Sequence, residues 1–165
     1  SVEYGLPRPK LAKALASYKG VKRRFTYQIK TDDLVFIDDY AHHPEEINAV
    51  HHAVREMYPN EKVLAIFQPH LFSRTKDFAD EFAKALSQFD EVILLDIYPA
   101  RELPIEGVNS SWLLSKISNQ NKTLIGKKSL IKNIKLSSAK IILTIGAGDI
   151  GEEVKTIKKA LSIAS

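Results

Sequence analysis

Short, nearly uninterrupted apolar runs punctuate the chain: Leu34–Ile37, Val63–Phe67, Val92–Leu95, Thr123–Ile125 and Ile141–Ile145. They are continuous rather than alternating, the pattern of strands covered on both faces. Between them, apolar residues recur at helical spacing. Ile47, Val50, Val54 and Met57 make one stripe, and Phe78, Phe82, Ala85 and Phe89 another. Trp112, Leu113 and Ile117 suggest a weaker helix, and Ile150, Val154, Ile157 and Leu161 a last one. Strand alternating with helix predicts βαβ units and a parallel sheet with right-handed crossovers.

The start of the chain breaks this rhythm. Over Arg24–Lys30 the residues Phe25, Tyr27 and Ile29 alternate with polar neighbours, and only Thr31-Asp32-Asp33 separates them from Leu34. So short a connection suits a hairpin, which predicts an antiparallel edge strand. Leu11, Ala14, Leu15 and Tyr18 fit a helix closed by Gly20, and residues 1–10, with Pro7 and Pro9, read as a linker or the end of a preceding domain. The expected fold is therefore α/β over residues 11–165. It is a Rossmann-like open sheet of about six strands, all parallel except one edge strand, with helices on both faces.

Composition acts mainly by exclusion. At 165 residues the chain suits one domain, burying about 70% of the surface its unfolded form exposes. It has no Cys, so disulfides, cysteine zinc sites and thiol nucleophiles are ruled out. Its longest apolar run is far short of the ~20 residues of a membrane helix. A net charge of +4 is too mild and scattered to argue for nucleic acid, though it suits a small anionic ligand. No signal peptide is visible, and an opening Ser1 with Met57 as the only methionine suggests a piece of a longer protein. The Lys-rich stretches at 127–128 and 155–159 read as solvated faces.

Open parallel sheets bind ligands beyond the carboxyl ends of their strands. Here those ends lead into Asp38-Asp39-Tyr40-Ala41-His42-His43-Pro44, into Gln68-Pro69-His70-Leu71-Phe72-Ser73-Arg74-Thr75, into Asp96-Ile97-Tyr98-Pro99-Ala100-Arg101-Glu102, and into Gly146-Ala147-Gly148-Asp149. Loops rich in His, Arg and Asp on one edge point to a site. Arg74, beside a predicted helix start, could hold a carboxylate or phosphate together with backbone N–H groups.

Each feature also has an ordinary reading. Pro44, Glu45 and Glu46 suit the first turn of a helix, Asp39 could serve the turn before it, and Arg74 and His70 could be surface and turn residues. Histidines cluster within 42–52, but His51 and His52 fall inside the helix and His42 and His43 before it, without H-E-x-x-H spacing. No metal site is expected, and His51 and His52 are assigned to the helix surface. Gly146–Gly151 spells G-A-G-D-I-G, formally a dinucleotide motif, yet no further strand with its acidic residue follows. It reads as a close-packed turn lining the same crevice.

Together the loops are recognisable. The segment Asp38–Pro44 resembles the D-D/Y-Y-A/G-H-x-P signature in the third domain of the Mur ligases. Phe67-Gln68-Pro69-His70 with Ser73-Arg74-Thr75, Val21–Phe25, Asp96–Glu102 and Gly146–Ile150 narrow the resemblance to the members that join L-alanine to UDP-N-acetylmuramate. It covers about residues 11 to 160. It implies the carboxyl-terminal domain of a three-domain, ATP- and Mg²⁺-dependent ligase of the bacterial cytoplasm, acting in peptidoglycan synthesis.

The resemblance also implies roles. Asp39 and Arg24 would meet the nucleotide, His42 and Arg74 would hold the amino acid, and Tyr40, His43 and His70 would line its pocket. No catalytic residue is assigned. The family's ATP-binding G-T-x-G-K-S/T loop does not occur in the sequence, so magnesium ligands and the UDP-sugar site are expected in the central and amino-terminal domains. Leu71 departs from many relatives, which carry Arg there, so no substrate contact can be transferred to it. The alternatives are a stand-alone nucleotide-binding module and the related ligase for recycled muropeptide. The latter is expected to differ over Phe67–His70.

Overall fold

The computed structural model describes residues 23–163; the helix expected over Leu11–Tyr18 and the linker at 1–10 lie outside them. The chain runs β1 (Thr26–Lys30), β2 (Val35–Asp39), α1 (Pro44–Met57), β3 (Val63–Phe67), α2 (Phe72–Asp77), α3 (Ala79–Leu86) and β4 (Glu91–Leu94). It continues through α4 (Ser110–Lys116), β5 (Lys122–Leu124), a 3₁₀ turn (Lys127–Ser129), α5 (Leu130–Leu136), β6 (Ile141–Ile145) and α6 (Ile150–Ser162). The strands form one six-stranded sheet in the order β1-β2-β6-β3-β4-β5. Only the β1–β2 pair is antiparallel. The short Thr31–Asp33 connection makes the hairpin, closed by Thr31 N–H on the Leu34 carbonyl at 3.0 Å.

Within each apolar run, alternate side chains go to opposite faces, because a strand repeats every two residues. Val35, Ile37, Val63, Ala65, Phe67, Leu143 and Ile145 pack under α1, α3 and α4. Phe36, Leu64, Ile66, Ile93 and Ile142 pack under α5 and α6. Both faces are thus covered, which is why the runs are continuous. Ile150, Val154, Ile157 and Leu161 are all buried, as their spacing requires.

The structure departs from the pattern in several places. Met57 ends its stripe 45% exposed, since α1 stops there and the chain turns to β3. The Phe78–Phe89 stripe is split between helices, because Phe78 leaves the helical region (φ −119°, ψ 26°) and lays its ring against His43, centroids 4.7 Å apart. Helix α5 was not anticipated; its only apolar signal is Leu130 and Ile134, one turn apart and both buried.

Two side-chain assignments also change. His51 is half-buried against Phe89 rather than on the helix surface, whereas His52 is exposed. Lys127 is no solvated face, because its ammonium pairs with Asp149.

Register lines up the strand ends. Asp39 and Phe67 both pair with Ile145, and Phe67 pairs with Leu94. The four chemistry-bearing loops therefore leave the sheet side by side from one edge.

Candidate functional site

The glycine loop after β6 is the floor on which the others rest. Gly146 has φ +146°, and a side-chain carbon there would lie 2.8 Å from the Gln68 carbonyl oxygen. One at Gly148 would lie 2.5 Å from Gln68 Oε1 and 2.7 Å from Tyr98 Cβ. Gln68 then closes the loop: its Nε2 donates to Asp149 Oδ1 at 2.7 Å, and its Oε1 accepts from Ile150 N–H at 2.9 Å. That amide is one of the free donors at the start of α6 on which a bound pyrophosphate would depend. The glycines serve close packing, as the sequence reading held, and an internal amide occupies the dinucleotide position.

Beside this floor, Asp38 is buried and takes Arg23 at two points, Nε to Oδ2 at 2.8 Å and Nη2 to Oδ1 at 3.1 Å. It also accepts from Thr144 Oγ1 at 2.8 Å. Asp39, on the opposite strand face, accepts backbone N–H groups from Phe25 at 2.6 Å and from Ala41 at 2.7 Å. Burial pushes its pKa up, against the pull of those two bonds and of Arg24. Asp39 thus does serve the turn, while each oxygen keeps a lone pair for a further donor. With Arg24 and Glu46 it rims a cleft of about 300 Å³ floored by Ala49, Val50 and Ala53 of α1.

Glu46 organises the start of α1. Its Oε2 accepts from His42 N–H at 2.9 Å and His43 N–H at 3.2 Å, and its Oε1 lies 3.8 Å from Arg24. These bonds, with His42 and Arg24 nearby, hold its pKa below the usual range although burial opposes them. The His42 ring puts Nδ1 3.0 Å from the Tyr40 carbonyl, which makes Nδ1 the protonated nitrogen and leaves Nε2 to face outward.

His70 stands across from His42, ring centroids 6.3 Å apart, and stacks on Tyr98 at 5.6 Å. Arg74, one turn into α2, brings Nη1 to 3.4 Å from His70 Nδ1. Burial first, then the charges of Arg74 and His42, lower the His70 pKa, so it stays neutral between two basic groups. Arg74 makes no ion pair with a carboxylate among the described residues, so its fork remains open to an anion.

Of the candidates from the sequence, Tyr40, His42, His70 and Arg74 thus form one basic, aromatic-lined edge, and Arg24 and Asp39 a second patch joined to it through Glu46. His43 stands apart, its ring packed on Phe78. Sequence reasoning passed over Glu46, Gln68, Tyr98 and Glu102 as contributors. Three of them lay inside or at the end of the quoted motifs, and that placement was the available signal. No group of three His, Cys, Asp or Glu among the described residues is placed to hold a metal ion. No helix among them is long and apolar enough to cross a membrane.

A sequence profile described as "Mur ligase, glutamate ligase domain" matches residues 23–151. The chain belongs to the Mur ligase family. The UDP-N-acetylmuramate–L-alanine ligase of Flavobacterium psychrophilum is 70% identical over 158 residues, 96% of this chain and 35% of that protein. The enzyme of the same name from Porphyromonas gingivalis is 48% identical over 158 residues, 95% of this chain and 35% of that protein.

Among solved structures, the Thermotoga maritima UDP-N-acetylmuramate–alanine ligase superposes with TM-score 0.69 at 28% identity, covering 99% of this Mur ligase domain and 35% of that chain. A murein peptide ligase from Psychrobacter arcticus gives TM-score 0.69 at 19% identity, over 90% of this domain and 32% of that chain, and so shares the fold. The chain spans about a third of the length of the curated relatives it matches.

Proposed function

We propose that this domain supplies the amino-acid site, and one wall of the nucleotide site, of an ATP-dependent ligase that joins L-alanine to UDP-N-acetylmuramate in peptidoglycan synthesis. The observation that carries the reading is the edge formed by His42, His70 and Arg74, contiguous through Glu46 with the Arg24–Asp39 cleft. The names and identity of the relatives point the same way.

In such a reaction the muramate carboxylate takes the γ-phosphoryl group of ATP, giving an acyl phosphate and ADP. The amine of alanine attacks the acyl carbon, the tetrahedral intermediate expels phosphate, and the amine nitrogen loses a proton as the amide forms. Chemistry of this kind depends on positioning and on stabilising phosphoryl charge.

Arg74 pairs with the alanine carboxylate, since a planar fork matches two oxygens. His42 holds the same substrate through Nε2, and His70 and Tyr40 border it. Asp39 accepts from ribose hydroxyls, and Arg24 meets the ribose or phosphates. The described residues offer no ligand set for Mg²⁺, so no step is assigned to the metal here. The partner is the central domain of the same protein, which must close onto this one to bring ATP and alanine together. The substrates place the reaction in a bacterial cytoplasm.

The test is ADP release by the full-length protein. Release that requires UDP-N-acetylmuramate and L-alanine together is the expected result. A preference for a preformed peptide over L-alanine would instead identify the muropeptide ligase. Micromolar NAD binding would favour the stand-alone nucleotide module, which the Gln68 contact with Ile150 N–H argues against.

A further inference from the structure

Helix α2, which carries Arg74, has six residues and no cap of its own. The residue before it, Leu71, has φ +74°, a strained value for a branched side chain, and the first turn contains no acidic residue. Its amides are met instead from a loop 29 positions later. Glu102 Oε2 accepts the Ser73 N–H at 3.0 Å, and Oε1 accepts the Ser73 hydroxyl. These two bonds hold the Glu102 pKa below the usual carboxylate range.

The same loop grips the other end of the segment. Leu71 N–H donates to the Tyr98 carbonyl at 2.9 Å, Tyr98 N–H donates to the Pro69 carbonyl at 2.8 Å, and the Tyr98 ring stacks on His70. The loop is itself braced by Glu102 N–H on the Pro99 carbonyl at 2.9 Å, around Ala100 at φ +53°.

We propose that Glu102 is a positioning residue for the amino-acid site, capping α2 from outside so that Arg74 presents its guanidinium at a fixed place for an α-amino-acid carboxylate. Glu102 does not pair with Arg74; its oxygens are committed to Ser73, which leaves the fork of Arg74 for substrate. This rests on the reading of Arg74 given above.

The test is steady-state kinetics on the full-length ligase, with alanine and ATP varied separately. Glu102→Ala raises the alanine KM at least fivefold and leaves the ATP KM within twofold. Ser73→Ala gives a smaller rise, and the double variant is no worse than Glu102→Ala alone, because both remove one contact. Glu102→Gln restores the alanine KM to within about threefold of the parent, since an amide oxygen can accept the Ser73 N–H and its NH₂ can meet the hydroxyl.

An unchanged alanine KM in Glu102→Ala overturns the proposal. So does a parallel rise in both KM values, which is general loosening, or a Gln variant as impaired as the Ala one. If Glu102→Ala does not fold, Ser73→Ala carries the test alone, with the same alanine-specific rise expected. Arg74→Lys run beside these separates the two claims. Normal alanine kinetics in that variant removes the site reading itself, whereas an impaired Arg74→Lys beside a normal Glu102→Ala removes only the positioning role.

Discussion

Arg23 meets the buried Asp38 edge-on, Nε to Oδ2 at 2.8 Å and Nη2 to Oδ1 at 3.1 Å, and the same Nη2 reaches the Gly146 carbonyl at 3.0 Å. One guanidinium therefore fastens the entry to β1, the end of β2 and the loop after β6. Removing one partner of a buried pair leaves the other charge stranded. Arg23→Ala is expected to destabilise the domain by roughly 3 kcal/mol, the low end for such a pair, because the Arg23 side chain is still 22% exposed. In a thermal scan that is a drop of roughly 6–12 °C for a domain of this size. Arg23→Lys falls between, keeping the charge but not the second contact. A loss below about 1 kcal/mol, the level of a surface pair, would show that Asp38 finds compensation elsewhere.

Arg74 gives a prediction about function. Lysine keeps the charge but has no planar fork, and a hydrogen bond to a charged group is worth about 1.5–3 kcal/mol. In the full-length ligase, Arg74→Lys should weaken alanine use by at least tenfold with little change in the ATP KM. Alanine kinetics that match the parent would take Arg74 out of the site.

The architecture was legible because buried parallel strands leave a plain trace, and each of the apolar runs lies in or against the sheet. What was lost had weak local signal. Helix α5 has only Leu130 and Ile134 buried, so the pattern is too short to show a period. Phe89 fits the α3 stripe and is buried, yet it lies past the end of the helix, since packing rewards burial whatever the backbone does. At the site, spacing and sheet topology located the loops but not the wiring. No local rule says that Gln68 reaches Ile150 across 82 positions, or that Glu102 caps a helix 29 positions earlier.

His51 predicts a pH dependence. Its ring lies edge-on to Phe89 at 4.9 Å, and its Nε2 is buried without a hydrogen-bond partner. Burial first, then Arg55 and, more weakly, His52, lower its pKa below the ordinary 6.5, while Asp90 and a bond with the Gln88 backbone oppose this. A histidine with a lowered folded pKa carries fewer protons folded than unfolded between the two values, so stability rises with pH there. The contribution is complete above pH about 6.5 and is lost as pH falls toward the folded value. His70 acts with the same sign. Urea unfolding should show a less stable domain at pH about 5.5 than at about 7.5, and His51→Leu should narrow that gap. An unchanged gap would mean the ring is solvated in the folded state.

Gly148 links the scaffold to the site. A methyl group there would meet Gln68 Oε1 at 2.5 Å and Tyr98 Cβ and Cγ at 2.7 and 2.8 Å, so one of them must move. Gln68 is held by Asp149 and by Ile150 N–H, and Tyr98 by Pro69 and Leu71 through its backbone, so neither can yield cheaply. Overpacking of this kind costs about 1–3 kcal/mol. Gly148→Ala should therefore lower stability by that amount and shift the aromatic proton resonances of Tyr98 and His70, whose rings stack. Gly126→Ala is the control, because nothing lies within 4 Å of its added carbon; it should stay within about 0.5 kcal/mol. If Gly148→Ala proves as silent as the control, the loop does not press on Tyr98. The close packing that sets this glycine motif apart from a dinucleotide site would then lose its basis.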